Sequence, residues 1–221
     1  MDTSMRYPHL ILLALMLFGF LLLGSTAHAV DSAVESPTEM LRRAEILDLN
    51  GSPAAARKIY DALERSSPNQ RPSVPSAINQ FAVNNLDQAW DYFTQIQQSG
   101  LNSDREYASL WLALLYTKEK GKLPVGKDRD FLLPNLFLTP VRREIARMYR
   151  GEFPVNEFVR FINGSSINDR RDELTEIIFF TTAYLKYVAK NPAQAAALVR
   201  DNKSKLYPYS LEKPLLEMGK P

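Results

Sequence analysis

Apolar residues recur along this chain at intervals of three and four, and nowhere alternate at two for any length, so the pattern predicts helices and no strands. The clearest unit opens at Ser36-Pro37-Thr38, with proline in the first turn, where its missing N–H costs nothing. Met40, Leu41, Ala44 and Leu47 lie on one face, and Asn50-Gly51 stops the helix with residues tolerant of positive φ. Ser52-Pro53 starts a second helix, whose inner face carries Ala56, Ile59, Tyr60 and Leu63, and Pro68 ends the unit.

The spacing of Gly51, Ala56, Tyr60, Leu63 and Pro68 resembles the tetratricopeptide repeat, with Ala44 and Leu47 in the small and large slots of its first helix. A second copy follows 33 residues on, where Ala77, Ala89, Phe93 and Ile96 repeat Ala44, Ala56, Tyr60 and Leu63, and Asn84 takes the glycine slot. Pro75 shortens the first helix of that copy. A third helix is expected from about Ser103 to Lys120. Residues 121–140, with Pro124, Pro134 and Pro140, read as an irregular apolar connector. Helical pairs resume from Thr139-Pro140 to Arg150, Pro154 to Ile162, Asp172 to Lys190 and Pro192 to about Asp201, with Pro208 to Glu217 as a closing cap. The expected fold is all-α, an α-solenoid of hairpins with about nine or ten helices. It divides into repeats over 37–120, the connector, and a C-terminal part over 141–221.

The C-terminal part is also similar to periplasmic repeat adaptors of the NlpI lipoprotein type. The matching residues run from Arg143 to Gly151, followed by Glu176, Phe179-Phe180, Tyr184 and Ala195. The resemblance implies a scaffold docking an envelope protease, a cell-wall hydrolase or a secretion-machine component, and leaves a homodimer open. The family's lipidated cysteine has no counterpart here.

The N-terminal end supports the same compartment. An uncharged apolar run of fifteen residues, Leu10 to Gly24, follows Arg6 and precedes Ala27-His28-Ala29. This order of features is that of a cleavable secretory signal peptide over 1–29, followed by a polar lead over 30–36. It predicts a periplasmic or secreted protein. The run is short for a membrane span, which disfavours an uncleaved anchor.

Composition narrows the chemistry. Both histidines, His9 and His28, fall in the signal segment, and the chain has no cysteine. The mature part therefore lacks the commonest general base, the usual nucleophile pairs and the usual zinc ligands. No catalytic residue, cofactor or metal site is expected. A cell-wall glycan hydrolase using paired carboxylates stays chemically open, but the acids are spread at ordinary surface spacing. The net charge of +2 gives no reason to expect nucleic acid as a partner. An accessory subunit of a secretion, pilus or polysaccharide-export system is the main alternative to a free adaptor.

Two candidate surfaces follow. The repeat resemblance implies a concave groove lined by Leu41, Glu45 and Asp48 in the first repeat and by Ile78 and Phe81 in the second, suited to a partner with basic and apolar side chains. Arg143, Arg147 and Arg150, spaced four and three apart, share one helix face and form a candidate docking face for an acidic partner. The apolar stretch 131–138 reads as either core or interface.

Overall fold

The computed structural model describes residues 35–69, 71–134, 137–166 and 171–221. The expected signal peptide and most of the polar lead lie outside the described residues. Those described hold eleven α-helices and no strand. The helices are α1 Pro37–Leu49, α2 Pro53–Ser66, α3 Val74–Ala82, α4 Leu86–Ser99, α5 Asn102–Lys120 and α6 Gly126–Leu132. They continue with α7 Pro140–Tyr149, α8 Val155–Gly164, α9 Arg171–Tyr187, α10 Pro192–Asp201 and α11 Glu212–Glu217, with a 3-10 turn at Lys203–Lys205 before the last. Among the described residues no helix is long and apolar enough to cross a membrane.

Local chemistry sets the helix ends. Ser36 and Glu39 form a reciprocal capping box at α1, with the Glu39 N–H donating to Ser36 Oγ at 3.3 Å and the Ser36 N–H to Glu39 Oε2 at 3.0 Å. Ser52 and Thr139 precede their helices without capping them through the side chain. Several helices, α1, α3 and α7 among them, close with the same pair of backbone bonds. Ser52 N–H reaches Leu47 O at 2.8 Å, Asn85 N–H reaches Gln80 O at 2.9 Å and Glu152 N–H reaches Arg147 O at 2.9 Å, each beside a shorter-range bond from the preceding residue. The residue at the bend must be left-handed. Gly51 sits at φ +71°, and Asn84, standing in the glycine slot, sits at φ +65°.

The expected irregular connector needs correction. Its segment between Pro124 and Pro134 is long enough for two turns, and α6 forms there. This additional helix takes the count among the described residues to eleven, past the nine or ten expected. The cap helix begins at Glu212 rather than Pro208, and α9 stops at Tyr187 rather than Lys190, which itself takes φ +54°.

α5 is the centre of the fold. Ala108, Leu110, Trp111, Leu112, Ala113 and Leu114 are fully buried. The Trp111 ring stacks on Phe93 at 5.2 Å, meets Phe81 edge-on at 5.1 Å and packs against Phe179 at 4.9 Å and Phe180 at 5.9 Å. One side chain thus ties α3 and α4 to α9. The two sequence halves share one apolar core, running from Ala77 to Leu216.

The first hairpin stands apart from that core. Ala44, Ala56 and Tyr60, with Leu41, Leu47 and Ile59 around them, form a separate small cluster between α1 and α2. Ala56 has no exposed surface, so no space exists for a longer side chain. Ala56→Leu is expected to destabilise the hairpin by about 1–3 kcal/mol through overpacking. Faster proteolysis within residues 37–66 would register it, and an unchanged melting temperature with unchanged proteolysis would refute this packing.

Candidate interaction surface

The connector after α6 is apolar on both sides. Leu132, Leu133 and Phe137 are buried, whereas Phe131 is 47% and Leu138 60% exposed. Leu136 lies outside the described residues. The stretch is therefore core and surface at once, one set of side chains anchoring the segment and the other presented outward.

Three polar side chains from three helices fix its backbone. Gln97 on α4 donates from Nε2 to Phe131 O at 2.9 Å and to Ser109 Oγ at 3.0 Å. Arg150, just past α7, donates to Leu133 O at 2.8 Å and Pro134 O at 2.5 Å. Glu106 on α5 accepts the N–H groups of Leu138 at 2.7 Å and Thr139 at 3.2 Å. Gln97 and Glu106 are buried, and a buried polar group without a partner costs about 1–3 kcal/mol. A connector outside any helix has spare backbone groups to offer them, so each side satisfies the other. The consequence is that Phe131, at the end of α6, and Leu138, in the non-helical stretch before α7, are held in fixed positions.

Both border a cleft of about 340 Å³, lined also by Gln98, Asn102 and Arg105. Leu101, at the start of α5, adds a 72% exposed side chain beside Asn102. Apolar anchors with carboxamides at the rim suit a peptide, whose side chains need pockets and whose backbone needs hydrogen bonds.

The groove expected from the repeat pattern is placed differently. Leu41 and Glu45 are half-buried on α1, and Leu41 lines a cleft of about 200 Å³ with Leu63, Glu64 and Arg71. Burial raises the Glu45 carboxyl above the usual carboxylate range. Asp48 is buried, accepting from Tyr60 Oη at 3.0 Å and Asn79 Nδ2 at 2.7 Å. Ile78 and Phe81 are core residues rather than groove lining. The reason is that α3 is enclosed on all sides, with every residue from Ser76 to Ala82 buried. Phe81 faces Trp111, and the Lys118 ammonium lies over its ring at 5.5 Å. The polar side of α3 faces the first hairpin. There Ser76 donates to Glu64 at 2.5 Å and accepts from Arg57 at 3.0 Å, while Tyr92 donates to Glu64 at 2.7 Å.

The three arginines divide by role. Arg150 clamps the connector. Arg147 pairs with Glu144 at 2.8 Å and lies over the Phe153 ring at 5.4 Å, and Arg143 is exposed. Arg147 and Arg150 thus have partners within the protein.

The fold also brings together carboxylates that sequence spacing kept apart. Glu176 on α9 and Glu212 on α11 line one cleft of about 470 Å³ with Tyr107 and Arg142. Arg142 grips Glu176 with two bonds, at 2.9 and 3.2 Å, while burial pushes the Glu176 carboxyl up to about 7 against that pull. Glu212 accepts from Tyr107 and Ser210 through its two oxygens. All four carboxylate oxygens thus have donors within the protein, which suits a latch joining α5, α7, α9 and α11.

Gln97 and Glu106 were absent from the sequence-based candidates. The available signal was an acid, Glu106, placed directly before the mostly apolar run Tyr107 to Tyr116 of α5. Comparison of the chain with protein-family models, with curated proteins and with solved structures gave no match.

Proposed function

We propose that this chain is an exported helical-repeat scaffold of the tetratricopeptide type that binds another envelope or secreted protein, and that the Phe131–Leu138 surface is where the partner docks. The observation carrying this reading is a connector pinned by three polar side chains that nevertheless points two large apolar side chains outward. Solvent-facing Phe and Leu contribute little to folding, whereas pre-positioned apolar anchors lower the ordering cost of binding. The absence of histidine and cysteine beyond residue 28 supports a binding role over a catalytic one. The internal donors satisfying Glu176 and Glu212 weigh against a two-carboxylate hydrolase. No feature of the fold favours the machine-subunit alternative over a free adaptor.

The test is affinity capture of the tagged protein from envelope extract, beside a Phe131→Ser/Leu138→Ser variant. Both positions are exposed, so the variant should keep its helical content and melting temperature. Partners recovered with the parent protein should fall about tenfold or more with the variant, since two apolar hot-spot truncations cost at least about 1.4 kcal/mol together. Equal recovery would refute the docking site. Recovery of a full set of components from one export apparatus would make the chain a machine subunit.

A further inference from the structure

The C-terminal helices carry a second surface, different in charge from the connector. Between Lys186 and Pro221 the sequence has seven cationic side chains against three carboxylates, although the whole chain is only +2. One of those three, Glu212, is buried in the latch on another side. A trough of about 550 Å³ lies between α9, α10 and α11. Its exposed apolar lining is Pro192, Ala196 and Val199 on one face of α10, over the buried Ala195 and Leu216, and Lys186, Arg200 and Lys203 line it as well. Arg200 and Lys203 have side chains 72% and 70% exposed.

The acids nearby cancel only part of this charge. Glu217 lines the trough too, but it is engaged by Lys213 at 2.9 Å and lies 4.0 Å from Lys203. Asp201 pairs with its neighbour Arg200 at 2.9 Å. Lys186 holds the carbonyl oxygens of Gly219 at 3.1 Å and Pro221 at 2.6 Å, which brings a cation to the end of the trough next to the last residues. The alanines matter sterically. Where α10 presents Ala196, another backbone can approach closely, and Val199 one turn on supplies apolar contact.

We infer that this trough is a docking groove for an acidic amphipathic helix of a partner protein. The apolar stripe of such a helix would lie on Pro192, Ala196 and Val199. Its flanking carboxylates would meet Lys186, Arg200 and Lys203. A cationic helix is rejected by the same charges, so complementarity sets the sign of the partner. The site is separate from the connector surface, and either can fail without the other.

The test uses two labelled 20-residue helical peptides with leucine at every third and fourth position, one filled with glutamate and one with lysine, titrated by fluorescence anisotropy. The glutamate peptide should bind at least about tenfold tighter than the lysine peptide at low salt, and the preference should shrink in high salt as the rim charges are screened. Arg200→Glu/Lys203→Glu, at two exposed positions, should abolish that preference, whereas Phe131→Ser/Leu138→Ser should leave it intact. Equal binding of both peptides, or no binding of either, overturns the proposal. So does self-association of the parent protein that competes with the glutamate peptide, or charge-dependent binding to phosphatidylglycerol vesicles without peptide binding. These would assign the trough to a second copy or to a membrane.

Discussion

Trp111→Ala is expected to cost about 4 kcal/mol of folding stability, the largest single-residue effect in the protein. Its ring has no exposed surface and touches four other aromatic rings drawn from α3, α4 and α9 within 6 Å. Truncation leaves a cavity lined by Phe81, Phe93, Phe179 and Phe180, which cannot close without moving three helices together. For a chain of this size the loss corresponds to a melting temperature lower by about 10 °C. Trp111→Phe keeps most of the volume and should cost less than half as much. Thermal and urea unfolding of the two variants would check the ordering, and equal losses would show that the ring's size is not what holds these helices together.

Asp48→Asn is expected to act in the opposite direction and to depend on pH. Burial pushes the Asp48 carboxyl from 3.8 up to about 6, although Asn79, Tyr60 and the Arg57 charge pull it down. The folded chain therefore holds a proton between pH 3.8 and about 6 that the unfolded chain releases. Stability falls with rising pH across that window, and above it the ionised carboxylate costs about 3 kcal/mol. Asparagine removes the charge while keeping a carbonyl acceptor for Asn79 or Tyr60. The variant should be about 2 kcal/mol more stable than the parent at pH 7.5, and the difference should vanish below pH 4. Urea unfolding of both proteins at the two pH values measures it. A variant less stable at pH 7.5 would mean that the two hydrogen bonds outweigh the desolvation of the charge.

The helices were legible because their punctuation is strong. Ser36-Pro37, Asn50-Gly51 and Pro192 mark ends that the fold respects to within a residue, and Asn84 takes the backbone conformation expected of a glycine slot. What stayed hidden depends on which surfaces meet. The repeat resemblance puts Ile78 and Phe81 in a groove, which requires one side of α3 to be open. In the fold the polar side of α3 is buried against the first hairpin and the apolar side against Trp111. Periodicity reports a helix's two faces but not whether both are covered. The connector shows the same limit. Gln97 and Glu106 lie on neighbouring helices and Arg150 more than forty residues on, and no local pattern marks them as holding a single segment.

The separateness of the first hairpin has a dynamic consequence. Its small cluster of alanines and one tyrosine meets α3 and α4 through Asp48, Arg57, Glu64, Ser76, Asn79 and Tyr92, and α1 also touches α11. The polar groups of this joint can be rewetted, whereas the rings around Trp111 cannot. The α1–α2 hairpin is therefore expected to open before the helices around Trp111, with its amides the faster to exchange.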